Sequence, residues 1–507
     1  MRAALLHADR ELDLAALPAG RRALVADLGL DALVAAMARG DRSLDDVARR
    51  VVPAMLTSEE AVRYRQASVA DALRSPALVR ELYALAVDTI DAERRVWGGS
   101  LRSAEMILDR AAEVLGVFLD AFRVLRRIST ASAGSVSSPG FRGFFARVDE
   151  ELDDAFLRDA ADHVERLRDR TLHVSAGLGP GNRGAAHVLH RRPAALRTWR
   201  DRVGLDEGRG MTVVVPLRDQ NSMNMIAEVR ALAIAPIAGV VHETAQQILG
   251  FFQVLRAELG FLLGCCNLAE ALEQVGARTC VGDPVPGVGP ALTARGLYDP
   301  CLALAVGHGV VGNDVAADGR ALVVVTGANG GGKSTLLRAV GLAQVMLQAG
   351  MPIAADAFSA DLRSGVLTHF TREEDSTLEQ GRLHEELARL SALVDEARPS
   401  SLVLLNETLA STNEREGAEI ARGVVGALVD AGVRVWFVTH IHAFAADLQR
   451  ADPGWALFLR AERGVGGDRS FRVVEGPPRS TSHADDIYRR VVGSDLGPVG
   501  GTADPGV

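Results

Sequence analysis

Gly327-Ala328-Asn329-Gly330-Gly331-Gly332-Lys333-Ser334 is the stretch whose reading decides the fold. It fits G-x-x-x-x-G-K-[ST], a glycine loop whose backbone N–H groups converge on phosphate oxygens while a lysine reaches the same anion. The flanks agree with that reading. Ala321 to Thr326 is a short β-branched run that reads as a buried strand. Ser334 to Gln348 has helical periodicity and stops at Gly350, ahead of Pro352. Strand, loop and helix N-terminus together make an anion site, because the helix adds partial positive charge where its first N–H groups are free. Lys333 is also the one lysine in 507 residues; every other basic side chain is arginine. A compact ammonium on a flexible stem suits a tight phosphate cradle, whereas a planar, forked guanidinium does not.

Working outward, a chain of this length holds about two to four domains. A hydrophobic content of 48% supports large cores and excludes wholesale disorder. The net charge of −9 argues against a general polycation, so nucleic-acid binding would rest on local arginine patches. Cys265, Cys266, Cys280 and Cys301 show no zinc spacing, which fits a reduced, cytoplasmic protein. The apolar start breaks at His7-Ala8-Asp9-Arg10, so no signal peptide is expected. The most apolar region, Ala231 to Leu268, is interrupted by His242, Glu243, Arg256 and Glu258 and reads as a buried helix pair, not a membrane span.

In chain order, residues 1–22 form a lead-in and 23–205 a helical domain. Thr57 with Glu60 looks like a capping box, and Ser75-Pro76 starts a further helix. Ala104 to Arg127 reads as a long amphipathic helix, followed by a Ser/Gly loop from Ser129 to Gly140. After a glycine-rich loop at 175–193 with room for short strands, and an arginine-rich segment from Arg191 to Arg202, Met211 to Leu217 reads as a strand. Residues 206–296 are then a strand plus a long helical connector, with a Pro/Gly linker from Gly282 to Gly296. Residues 297–493 form the nucleotide domain and 494–507 a flexible tail.

Two further apolar strands end in polar groups. Ser401 to Leu405 leads into Asn406-Glu407, where a carboxylate can polarise an attacking water. Glu407 is the candidate general base. Asn406 occupies the position usually held by an aspartate that binds Mg²⁺ through water; it can accept a hydrogen bond but adds no charge. Val433 to His440 reads as a third apolar strand ending in Thr439-His440, and His440 is the second catalytic candidate. Ser376 and Gly381 precede a charged helix, Leu383 to Ala397. On spacing alone they fit a plain helix start as well as a phosphate contact.

These residues resemble the MutS family of DNA mismatch repair ATPases. The family loop reads close to G-P-N-M-G-G-K-S, and its D-E-I-G-R-G-T-S-T-Y-D-G frame is matched by Asn406 to Gly417. Its strand-end T-H corresponds to Thr439-His440, its N-D pair to Asn313-Asp314, and its closing strand and turn to Phe471–Gly476 with Ser482. Upstream, Val62, Arg65, Val69 and Leu73 follow the start of the family's core domain. The resemblance implies a multidomain chain, with an all-α helical core and lever region followed by an α/β P-loop NTPase domain of the ABC type. It implies ATP and Mg²⁺, with nucleotide contacts from Gly327 through Ser334, Thr335 and Asn313, and metal contacts from Ser334 and, through water, Asn406. A homodimer clasping double-stranded DNA is expected, with Ser376 and Gly381 near the partner's nucleotide and a repair protein as a possible further partner. Nothing before the helical body resembles the mismatch-reading domain, and no helix-turn-helix or nuclease tail is seen. The signature order also departs from the family, since Ser376-Thr377 precedes Gly381-Arg382.

The expected function is therefore ATP-dependent DNA binding in mismatch repair or a related repair or recombination process. The alternative is a nucleotide-dependent switch on a protein partner without DNA. A transporter ATPase subunit ranks third, since L-S-G-G-Q is absent.

Overall fold

The structure, a computed structural model, describes residues 1–17, 22–96, 103–168, 173–178, 184–190, 220–286, 289–371, 382–409, 412–451, 453–463 and 469–478. The expected strand Met211–Leu217, the arginine segment 191–202, Ser376, Gly381, Ser482 and the tail lie outside the described residues. Two compact units emerge, each discontinuous in sequence, whereas the boundaries expected from sequence were contiguous stretches.

The first unit gathers Met1–Ala3, Arg80–Ser135 and Arg142–Arg256. Ser103 caps the helix Ala104–Ser132, its hydroxyl accepting from Met106 N at 3.2 Å. That helix runs past the expected end into Ser132, because Ser129 to Ser132 keep the helical period: Ser129 turns inward and its hydroxyl donates to the carboxylate of Asp149 at 3.0 Å. Phe118 and Phe122 stack on Phe252 at centroid distances of 5.8 and 5.5 Å. Glu93 and Arg110 form a half-hidden ion pair at 2.6 Å. The region is not purely helical: His173–Leu178 and Gly184–His190 pair as an antiparallel hairpin, the short strands that the glycine-rich stretch left room for.

The segment expected as a helix pair is one helix of 55 residues, Gln220–Gln274, which takes Pro236 into its interior. None of its glycines is adjacent to Pro236 or to another glycine, so no turn dipeptide closes a helical hairpin. Residues 234–274 are long and apolar enough to cross a membrane, but 61% of the most apolar window is buried inside the protein.

The second unit gathers Ala4–Val79, Val136–Phe141 and Ala257–Val507. Its main sheet has six strands in the order Val366–Phe370, Leu402–Asn406, Arg434–Val438, Leu322–Thr326, Ala456–Arg463, Arg469–Glu475. The first five are parallel and the last is antiparallel. Leu322 to Val325 and Leu402 to Leu404 are wholly buried, as expected for parallel strands covered on both faces. The helix Lys333–Gln348 packs at Gly341, where a Cβ would meet Leu404 at 2.6 Å and Leu28 at 2.8 Å. A four-stranded sheet adds Asp283–Val285, Ala357–Asp361, Leu292–Leu297 and Asn313–Ala316. The expected Pro/Gly linker is thus largely strand: Leu292, Ala294 and Leu297 point inward, a pattern masked by the surrounding prolines and glycines. The capping box also shifts by one residue. Ser58, not Thr57, caps the helix Glu59–Arg74, because Ser58 is the extended residue directly before it.

Arg65 ties this unit together. Buried over the ring of Phe261, it donates to Leu6 O and Ala349 O and meets His7 Nε2 at 2.9 Å. Close by, the fully buried Glu258 accepts from Leu5 N at 2.7 Å. Burial pushes the Glu258 carboxyl up to about 7, against the pull of Leu5, Arg65 and Leu12. Burial, with Arg65 and Arg10 adding to it, pushes His7 down to about 4. Glu258 holds its proton more tightly when folded, so its contribution is complete below its ordinary value of 4.5 and is lost as pH rises through about 7. His7 holds its proton less tightly when folded, so its contribution is present above 6.5 and is lost as pH falls through about 4. Between these limits the two slopes oppose. In urea unfolding from pH 4 to 8, Glu258→Gln is expected to gain stability on wild type as pH rises, by on the order of 3 kcal/mol across the window. A difference that stays constant with pH would show that Glu258 does not titrate there.

Candidate nucleotide site

The site lies wholly in the second unit, at the C-terminal ends of adjacent parallel strands, where an open α/β sheet leaves a crevice. Leu322–Thr326 feeds the glycine loop. Gly327, Gly330 and Gly332 have φ of +116°, +67° and +93°, so only glycine takes this path without strain. Ala328, Asn329 and Gly331 complete the turn, and Ser334 and Thr335 open the helix Lys333–Gln348. Lys333 is buried, and its ammonium donates to Gly327 O at 2.8 Å, Ala328 O at 3.1 Å and Asn329 Oδ1 at 3.4 Å. Burial lowers its pKa, with Glu407 opposing that shift.

The next two strands bring their polar ends alongside. Ser334 Oγ donates to Asn406 Oδ1 at 2.8 Å. His440 Nε2 lies 2.9 Å from Glu407 Oε1. That hydrogen bond, with the charges of His440 and Lys333, holds the Glu407 carboxyl below its ordinary range despite partial burial, so it is ionised at neutral pH. Ser334, Asn406, Glu407, His440 and Lys333 are therefore brought together as the sequence suggested.

The turn that presents Glu407 is strained: Glu407 and Leu409 have φ of +55° and +68°, both left-handed and neither a glycine. Four bonds fix it. Glu407 N donates to Val438 O at 2.8 Å, and Leu409 N to Glu386 Oε1 at 2.7 Å. The Thr371 hydroxyl reaches the carbonyls of Asn406 at 3.2 Å and Glu407 at 2.9 Å. Beneath them, buried His369 meets Thr408 Oγ1 through Nδ1 at 3.0 Å and Arg389 through Nε2 at 3.2 Å. Burial and Arg389 push its pKa down to about 4, so the ring is neutral. Sequence reasoning missed these supports. The one available signal was His369-Phe370-Thr371, a third cluster at a strand's C-terminal end.

Asn313 is buried, and its Oδ1 accepts from Val473 N at 2.7 Å. Its polar group is thus turned to the closing strand Arg469–Glu475. A cavity of about 480 Å³ opens at the other end of the sheet, lined by Asp361, Arg363 and Arg434 among others, and takes no part in this cluster. Among the described residues, no cluster of three or more His, Cys, Asp or Glu forms a metal cage.

Comparison with known proteins agrees with this geometry. Residues 57–275 match the MutS2 N-terminal domain, and residues 323–456, which carry every described member of the cluster except Asn313, match MutS domain V. The endonuclease MutS2 of Anaeromyxobacter sp. is 34% identical over 249 residues, 46% of this chain and 29% of that protein. The DNA mismatch repair protein MutS of Chloroflexus aurantiacus is 31% identical over 237 residues, 43% of this chain and 24% of its own length. The DNA mismatch repair protein MutS 2 of Halobacterium salinarum is 32% identical over 183 residues, 36% of this chain and 21% of its own length. The matches thus span under a third of each relative. With both halves of the sequence matched, and the glycine loop, Asn406-Glu407 and Thr439-His440 meeting at one sheet end, the chain belongs to the MutS family.

Proposed function

We propose that this protein binds ATP with Mg²⁺ in the Gly327–Ser334 loop, hydrolyses it slowly, and uses the bound nucleotide to close a homodimer around double-stranded DNA. The observation that carries the reading is the ionised Glu407 carboxylate, hydrogen-bonded to His440 one strand away from the loop. An ionised carboxylate can take a proton from water, and His440 fixes which oxygen faces the water. Lys333 and the loop N–H groups hold the phosphates. Ser334 and Asn406 would hold Mg²⁺, which neutralises charge on the phosphate oxygens. Asn313 acts through the strand it fastens. Ser376 and Gly381 are assigned to the partner's nucleotide on the family resemblance. DNA mismatch repair, or a related repair or recombination process, is the setting that the named relatives suggest.

DNA binding with and without ATP, on matched and mismatched duplexes and titrated with salt, tests the DNA part. Affinity that falls steeply with salt and depends on ATP supports it. Nucleotide binding with no DNA affinity at low salt would leave the switch on a protein partner.

Lys333→Ala is expected to abolish ATP binding, and Lys333→Arg nearly so, because three oxygens already crowd the ammonium. Wild-type affinity in the arginine variant, measured by calorimetry, would overturn the argument from side-chain shape.

Glu407→Gln is expected to cut turnover by roughly a hundredfold or more while leaving ATP bound. It should then accumulate a dimer in saturating Mg-ATP. Sedimentation that shows only monomer for this variant would remove the composite-dimer reading.

Asn406→Asp should lower the Mg²⁺ needed for half-maximal turnover by about tenfold, since a charge-assisted hydrogen bond exceeds a neutral one by roughly 1–2 kcal/mol. An unchanged Mg²⁺ dependence would place Asn406 outside the metal's surroundings.

A further inference from the structure

The closing strand Arg469–Glu475 begins directly over the glycine loop. At Gly330, an added Cβ would stand 2.5 Å from Nη1 of Arg469, 2.9 Å from its Cζ and 3.3 Å from Nη2. The guanidinium therefore lies on the loop and fills the space a side chain would take. The family pattern has methionine at this slot, and here glycine makes room for an arginine. At Gly332, an added Cβ would stand 2.9 Å from the carbonyl oxygen of Phe471, itself left-handed at φ +56°. Two residues further on, Val473 N is held by Asn313. Arg469 and Phe471 thus lie against the loop, and Asn313 holds the same strand at Val473.

Arg469 is exposed, and among the described residues no carboxylate pairs with it, in a chain carrying 65 acidic residues. Its guanidinium lies on the loop that would receive the phosphates, so an anion held there would meet a cation with no described carboxylate beside it. The sheet order sets which anion. Glu407 and His440 follow the strands on one side of Leu322–Thr326, and Arg469 opens a strand on the other side. It stands away from the groups placed to act on the transferred phosphate.

We propose that Arg469 is a nucleotide-binding residue whose guanidinium pairs with the α- or β-phosphate of bound ATP or ADP, setting affinity and not turnover. This rests on reading the glycine loop as the nucleotide site. The pair is a charge-assisted contact at a solvent-accessible edge, so its loss is expected to weaken binding by about tenfold and its effect to be screened by salt.

The test is ADP and ATP affinity, together with kcat at saturating Mg-ATP, for the full chain as wild type, Arg469→Gln and Arg469→Lys. The glutamine variant should bind both nucleotides about tenfold more weakly at low salt, the lysine variant should fall between, and kcat should hold within about twofold. Raising the salt should draw the three affinities together, which a merely misshapen loop would not do. If Arg469→Gln binds ADP as wild type does, if its defect is unchanged by salt, or if kcat falls while affinity holds, the proposal is overturned. Should Arg469→Gln fail to fold, the lysine variant decides alone: affinity equal to wild type at all salt concentrations overturns the proposal. A wild-type chain that binds no nucleotide overturns the loop reading itself, a result distinct from any of these.

Discussion

Glu407 carries its carboxylate on a backbone that an L-residue resists, and much of the nucleotide site depends on holding it there. A left-handed non-glycine residue costs on the order of 1–3 kcal/mol, and Leu409 two positions later repeats the cost. The neighbours offset it: Val438 from the adjacent strand, Thr371 from the strand on the other side, and Glu386 from the helix Arg382–Glu396. These bonds also determine where the carboxylate points, and so whether it meets His440. Strain at this turn and order in the sheet around it are one arrangement.

The electrostatics of the site are built with few charges. Lys333 and Glu407 act on each other's titration: Glu407 opposes the fall that burial causes in Lys333, and Lys333 helps to hold Glu407 down. Between them lie neutral oxygen donors, Ser334 and Asn406, already bonded to each other. A carboxylate at residue 406 would add a second negative charge beside Glu407, which would raise the proton affinity of both. With an amide there, Glu407 stays ionised with help from His440 and Lys333.

The sheet and its glycine loop were legible because their signals are local. Leu322–Thr326, Leu402–Asn406 and Arg434–Val438 are apolar runs with polar ends, and their bounds fall within about two residues of the reading. What was not legible came from distance. Arg65, Glu258, Leu5 and Ala349 meet across hundreds of residues, and nothing in a window of fifteen reveals such a meeting. The strands at 283–285 and 292–297 hid behind their glycines and prolines, whose turn signal outweighed a short alternation. Gly330 illustrates a subtler case. It reads as loop flexibility in the sequence, and only the structure shows that the space belongs to Arg469.

The contact between Leu5 and Glu258 spans 253 residues and has a consequence for how the chain comes off the ribosome. Synthesis proceeds at about 5–20 residues per second, so the amino-terminal segment waits on the order of 10–50 seconds for its partner to be made. During that interval Leu5, Leu6, Leu24 and Leu28, all fully or almost fully buried at the end, stay in water. The second unit cannot close strictly in the direction of translation, since Leu5 meets Glu258 and Leu28 packs at Gly341, each hundreds of residues later. A nascent chain of this design is expected to lean on chaperones that bind short apolar stretches, and to be most prone to aggregation before the glycine loop has been synthesised.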